Sequence, residues 1–259
     1  MAEICCPSLD EAWLLAVKIA CSSRRREVSP LVVAFDVTTN QPAPQCQALH
    51  SELNVALAAS GHATVETVAN TLFPRSLWDP SRPREQLFKR YMKILPTLRR
   101  DVRNHRGLYF ERLISYPGTR GETGKNQLDH IAKTFTSGNH RRSALQASVF
   151  CPLSDLNDSR RQGFPCLQQI AFAHNQSLGS LTVVAFYATQ YLFERAYGNY
   201  LGLMRLGEFM AHEMGLKLER VICVAAIAQL DAPANQVRSL LRRFLAPAQA
   251  GSERSLARL

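Results

Sequence analysis

Residues 167–230 read LQQIAFAHNQSLGSLTVVAFYATQYLFERAYGNYLGLMRLGEFMAHEMGLKLERVICVAAIAQL, and the hydrophobic period changes three times along them. The runs LQQIAFAH and SLTVVAFY have the short, β-branched and alternating character of strands, and NQSLG between them supplies a turn. From GNYLG onward the apolar residues Leu203, Leu206, Met210 and Met214 recur at helical spacing, with Gly215 placed to stop the helix. VICVAAIAQL then reads as a fully buried strand. Two paired strands, a long helix and a further strand define a sheet with a helix laid across it.

Working outward, SLDEAWLLAVKIACSS is a helix, with Ser8 as N-cap and Trp13, Leu14, Val17 and Ala20 on one face. PLVVAFDV is a buried strand introduced by Pro30, and NQPAPQ is a loop. TVETVANTLF is a short helix capped by Thr64 and stopped by Pro74. A helix is expected from Glu85 to Met92 with a break at Pro96, a strand from Tyr109 to Tyr116, and a loop at PGTRGETG. A helix from Asn126 to Phe135 has Leu128, Ile131 and Phe135 on one side. SALQASVF is then a strand, DLNDSRRQG a polar connection, and the tail from RRFLAPAQAGSERSLARL is expected to fray. No shift in composition marks a boundary, so residues 1–259 are expected to form a single domain.

Bulk properties narrow the function. The 259 residues are 46% hydrophobic, enough for a substantial core, and no apolar run is long enough for a membrane span. MAEICCPSLDEAW lacks a basic segment followed by an apolar one, so no secretory signal is expected and the chain is read as cytoplasmic. Seven cysteines without metal-ligand spacing point to reduced thiols and to no metal site. A net charge of +10 favours anionic partners. The basic runs RRREV and LRRD read as solvated faces rather than nucleic-acid grooves, because aromatic residues are not interleaved with them.

One order of residues carries chemistry. Arg141 and Arg142 precede a strand; Cys166 follows Pro165; two strands later Asn199 opens the long helix. A paired guanidinium can clamp a phosphate, a thiol beside guanidinium groups is a candidate nucleophile, and an amide can read the donor and acceptor of a heterocycle together. In that order GLYFERLISYPG, NQLDHIAKTFTSGNHRR, PCLQQIAF and FYATQYLFERAYGNYLGLMRLGEFMAHEMGLK resemble the thymidylate synthase and deoxycytidylate hydroxymethylase superfamily. The resemblance is clearest over residues 107–231.

The resemblance implies an α+β fold in which a large, mostly antiparallel sheet is flanked by helices and stacked back to back on its copy in a homodimer. It implies a transferase that methylates or hydroxymethylates C5 of a pyrimidine nucleotide or related heterocycle, with 5,10-methylenetetrahydrofolate as one-carbon donor. Cys166 would add to C6 of the ring and Glu66 would be the catalytic glutamate. Arg141 and Arg142 would reach the phosphate of the neighbouring subunit, in a shared active site, and Asn199 would face the base. Tyr187, Arg195, Gln229 and Asp231 complete the candidate substrate-binding set. The chain departs from the family pattern at Ala188, where an arginine is expected, at Tyr191, where an aspartate is expected, and at Gln229-Leu230-Asp231, which stands in place of a His-x-Tyr. These departures leave open a catalytically altered, nucleotide-binding protein on the same scaffold.

Overall fold

The structure, a computed structural model, describes residues 1–37, 44–118, 124–138, 140–158 and 164–245. Its centre is a mixed sheet. Strands β1 (Ala2–Cys6), β2 (Glu27–Val28), β3 (Leu31–Asp36), β4 (Gln146–Ser148), β5 (Leu167–Asn175), β6 (Ser180–Tyr191) and β7 (Lys217–Gln229) lie in the order β1-β3-β7-β6-β5-β4, with β2 paired to one end of β7. The β2–β7, β3–β7, β4–β5 and β5–β6 pairs are antiparallel, whereas β1–β3 and β6–β7 are parallel. A parallel pair needs a long crossover. For β6 and β7 it is the helix α8 (Tyr197–Glu213), the long helix read from the sequence, and Gly215 ends it with φ +64°.

The strands bury one face. Leu31, Val33 and Phe35 of β3, Val183, Ala185 and Tyr187 of β6, and Val221, Cys223 and Ala225 of β7 point into the core beneath α8 and α1 (Leu9–Ser22). Trp13 of α1 is fully buried, and its indole N–H donates to the Leu192 carbonyl at 2.7 Å, so its one polar atom is satisfied. The opposite face is apolar without being covered by any described helix. Rows such as Val32, Val224 and Phe186, and Ala34, Ile222, Val184 and Ala171, run across β3, β7, β6 and β5 in register, and Phe186 is 43% exposed. β7 was therefore expected to be buried on both faces and is buried on one, because helices pack on a single side of this sheet.

Helices α2 (Pro44–Ala59), α3 (Val65–Leu72), α4 (Arg84–Leu98), α5 (Tyr109–Ile114), α6 (Gln127–Thr136), α7 (Pro152–Asp155) and α9 (Ala234–Phe244) complete the described elements. α3 begins at Thr64, whose hydroxyl accepts the Thr67 N–H at 3.2 Å, as its sequence implied. It packs against α8 at close range through glycine: a Cβ on Gly198 would lie 2.6 Å from Val68 Cβ, and one on Gly202 2.8 Å from the Ala69 carbonyl oxygen.

Two expectations fail here for identifiable reasons. Pro96 does not end α4, which continues to Leu98. A proline in the last turn forfeits only one hydrogen bond, and the Asn104 side chain caps the terminus by donating to the Leu98 carbonyl at 2.9 Å. Residues 109–114 are helical rather than extended, with Phe110, Leu113 and Ile114 buried at positions i, i+3 and i+4. Arg112 of the same turn is held by a buried ion pair to Asp155 at 3.0 Å, which a strand would have turned elsewhere. SALQASVF contributes only the three residues of β4. The first four residues of NQPAPQ, the middle of PGTRGETG, the end of DLNDSRRQG and most of the tail fall outside the described residues, whereas Pro44 and Gln45, expected in a loop, open α2, and α9 occupies the start of the segment expected to fray.

Candidate functional site

Cys166 stands where the chain enters β5. Phe164, two residues earlier, is fixed from three sides. Its ring meets Tyr109 at 5.2 Å between centroids, lies 5.4 Å from the Arg112 guanidinium carbon, and occupies the space that a Cβ on Gly107 would enter at 3.0 Å. After Cys166 the backbone is tied to β6 by the Ala188 N–H, which donates to the Cys166 carbonyl at 2.9 Å. The Gln168 side chain donates to the Pro165 and Cys166 carbonyls at 2.8 and 3.2 Å. A register shift between Leu167 and Gln169 marks a bulge immediately after the cysteine, the kind of irregularity that re-aims a side chain.

The thiol is half-buried and opens onto a cavity of about 810 Å³. Three elements build its walls. The face of α3 contributes Thr67, Val68, Asn70 and Thr71; the α4–α5 region contributes Tyr91, Leu98, Asp101, Arg103, Asn104 and Tyr109; the β6–α8 junction contributes Thr189, Gln190, Tyr191, Glu194, Arg195 and Asn199. That size is within the range of small-molecule sites.

The β6–α8 junction explains how charged groups reach the cavity. Residues 192–196 form a single π-helical turn, a device that accommodates an extra residue and recurs at functional sites. It is pinned from both ends of its width. Leu192 accepts the Trp13 indole, and the Asp231 carboxylate accepts the Phe193 and Glu194 N–H groups at 2.9 and 3.2 Å. Apolar Leu192, Phe193 and Ala196 are thereby buried, while Glu194 and Arg195 face the cavity. The two charges touch each other, Arg195 Nη2 to Glu194 Oε1 at 2.7 Å, and His62 Nδ1 lies 3.7 Å from the same oxygen.

These surroundings push the Cys166 thiol in opposite directions. Burial raises its pKa above the ordinary cysteine range, the Arg195 guanidinium opposes that, and the Glu194 charge adds to it. The net direction is upward. Sequence reasoning expected guanidinium groups to favour the thiolate; Arg195 does so, but it is partly spent on Glu194 and burial outweighs it. Tyr109 is pushed upward by burial as well, with backbone N–H groups of Leu167 and Cys166 opposing the shift.

The other candidates sort by position. Cys166, Arg195 and Asn199 meet in one cavity although 33 residues separate the first from the last. Asn199 is 4% exposed in the first turn of α8 and contributes to the cavity wall. Tyr187 is fully buried beneath the cavity rather than in its wall; its hydroxyl lacks a partner among the described residues, and burial holds it well above the usual phenol range. Asp231 supports the π turn as just described, and burial raises its carboxyl. Gln229 is exposed at the end of β7.

Glu66 is not in the wall of the cavity, and both its oxygens are taken by Arg205 at 2.7 and 2.8 Å. That pairing lowers its pKa, which suits a carboxylate that stays ionised rather than one that trades protons. Arg141 and Arg142 sit on the surface before β4, with Arg142 donating to the His174 carbonyl at 2.8 Å. Neither is in the wall of this cavity.

Glu194, Tyr109, Phe164 and the α3 threonines had not been read as site residues. Only one signal pointed to them: FERA sets an adjacent acid and base between an apolar strand and an apolar helix, where neither charge belongs in a core. Among the described residues no group of three or more His, Cys, Asp or Glu side chains is placed to hold a metal ion, and no described helix is long and apolar enough to cross a membrane. No protein-family model matches this chain, and a comparison with curated proteins finds no match.

Proposed function

We propose that this protein is a pyrimidine C5 one-carbon transferase that works through Cys166. The observation carrying the reading is the convergence of a half-buried thiol, a guanidinium and a buried amide, Cys166, Arg195 and Asn199, on one cavity. They come together in the chain order that prompted the resemblance. In this reading the thiolate adds to C6 of the ring, which makes C5 nucleophilic toward a one-carbon electrophile. Asn199 faces the edge of the base with its amide, and Arg195 stabilises the anion at sulfur when the ring arrives. The one-carbon donor, a methylenetetrahydrofolate, is a co-substrate that supplies an electrophilic carbon. Leu98, Asp101, Arg103 and Asn104 of the cavity wall are the residues this reading assigns to it.

Burial favours the thiol over the nucleophilic thiolate, so in this reading deprotonation of Cys166 accompanies ring binding. The reading also includes a homodimer. Its supports are the uncovered apolar sheet face, whose character is that of an interaction surface, and the surface position of Arg141 and Arg142.

A second reading, a nucleotide-binding protein without turnover, is favoured by one observation: the positions from which the family grips sugar and phosphate are otherwise engaged here, Asp231 on backbone N–H groups and Ala188 without a charge. Ligand binding separates from catalysis by experiment. A thermal-shift panel of pyrimidine nucleosides and nucleotides, with and without methylenetetrahydrofolate, tests for binding, and the mass of the intact protein tests for a bond to Cys166. Stabilisation with no covalent species under any condition supports the second reading and removes the first.

A further inference from the structure

Attack by Cys166 creates a second chemical requirement. When sulfur bonds to C6, the electron pair of the C5–C6 double bond moves onto C5 and its neighbouring carbonyl, and C5 then takes up an electrophile, the one-carbon unit or, where no donor is bound, a proton. When sulfur leaves, a proton must leave C5 first. Some group in the cavity has to carry it. Glu66 is outside the cavity and bound on both oxygens by Arg205.

Two carboxylates line the cavity among the described residues, Asp101 and Glu194. Asp101 is committed to Arg103: its oxygens accept the Arg103 Nε at 3.0 and 3.1 Å, Nη2 at 2.6 Å and backbone N–H at 2.9 Å. Glu194 Oε1 lies 2.7 Å from Arg195 Nη2 and 3.7 Å from His62 Nδ1. The backbone of Glu194 is anchored by Asp231, and its charge is felt at the Cys166 sulfur. The side chains of His62 and Glu194 are 31% and 21% exposed, so both reach solvent.

We propose that Glu194, with His62 behind it, is the acid–base group that moves a proton to and from C5 of a pyrimidine ring attacked by Cys166, an assignment that rests on the function proposed above. In the forward half the Glu194 carboxylate takes the Cys166 thiol proton and gives it to C5 as the S–C6 bond forms. In the reverse half the carboxylate removes one of the two C5 hydrogens, the C–H electron pair restores the C5–C6 double bond, and sulfur departs and takes up that proton as the thiol. His62 exchanges the proton on Glu194 with water. The cycle is redox-neutral and needs no co-reactant beyond solvent, so it runs without any one-carbon donor.

In D₂O the cycle replaces C5–H by C5–D, which proton NMR reads directly. The probes are 2′-deoxyuridine, 2′-deoxycytidine and their 5′-monophosphates, each incubated with the protein alone. The wild type is expected to exchange at least one of them and Cys166→Ala none. Glu194→Gln is expected to exchange about 100-fold more slowly, the usual contribution of a positioned acid–base group, while Cys166 in that variant is still alkylated by iodoacetamide. His62→Gln, which alters no contact of the π-turn backbone, is expected to slow exchange with alkylation preserved. Glu194→Gln or His62→Gln exchanging at the wild-type rate overturns this assignment and leaves Cys166 as nucleophile. A wild type that exchanges no probe, and is indistinguishable from Cys166→Ala, overturns the function beneath it.

Discussion

Replacing Gly202 by alanine probes whether the wall of the cavity is set by helix-to-helix distance. Two effects compete. In an isolated helix Gly→Ala stabilises by about 1 kcal/mol, through restricted backbone freedom. Here the new Cβ would stand 2.8 Å from the Ala69 carbonyl oxygen, 2.8 Å from Leu72 Cβ and 3.1 Å from Leu72 Cδ1. None of these is the flexible end of a side chain facing solvent: Leu72 is fully buried, and the Ala69 carbonyl is already held by the Phe73 N–H at 3.0 Å. Overpacking of this kind costs about 1–3 kcal/mol, and contact with fixed backbone argues for the upper part of that range. The net expectation is a loss of about 1–2 kcal/mol, or a fall in Tm of about 2–8 °C for a domain of this size. The same displacement moves Thr67, Val68 and Thr71 away from Cys166, so iodoacetamide should reach the thiol faster than in the wild type. Thermal and urea melts read the first effect, and mass-resolved alkylation the second. An unchanged or raised melting midpoint would mean that α3 yields without cost and that glycine spacing does not fix the cavity.

Other outcomes follow from the same geometry. Asp231→Ala strands the Phe193 and Glu194 N–H groups, so denaturant unfolding should show a loss of about 1–3 kcal/mol; a loss below the error of the melt would show that water replaces the carboxylate freely. Burial raises the Cys166 thiol, so its alkylation rate should keep increasing with pH beyond the range of an ordinary cysteine, because only the thiolate reacts. The sign of the neighbours is fixed: removing the cation in Arg195→Gln should move that midpoint further up, and removing the anion in Glu194→Gln should move it down. Shifts in the reverse sense would place neither charge near sulfur.

Much of this arrangement was legible in the chain because it is local. The β5–β6 hairpin follows from alternation on either side of NQSLG, and α8 from its apolar stripe and its glycine stop. Both signals lie within a few residues of one another. Residues 109–114 misled because a run as short as LYFERL matches a strand and a single helical turn equally well, and the decision belongs to Asp155, 43 residues beyond Arg112. The short edge strand β1 had no pattern long enough to read; it exists because β3 offers a parallel edge to Ala2–Cys6.

The candidate site divides in the same way. Cys166 and Asn199 could be picked out because each sits at the start of an element. Glu194 and His62 could not be paired, since 132 residues separate them and only the fold sets them 3.7 Å apart. Glu66 was assigned only through the family resemblance, as the catalytic glutamate, but a helix surface offers an acid to any arginine one packing layer away, and Arg205 of α8 takes it.

The most direct measurement is the mass of the intact protein after incubation with 5-fluoro-2′-deoxyuridine or its 5′-monophosphate, with and without methylenetetrahydrofolate, in the wild type and in Cys166→Ala. Fluorine at C5 blocks the loss that would release the ring, so the account predicts a stable gain in mass that peptide mapping places on Cys166 and that the alanine variant lacks. A wild type that stays at its own mass under every condition, or an adduct that persists in Cys166→Ala, would contradict it.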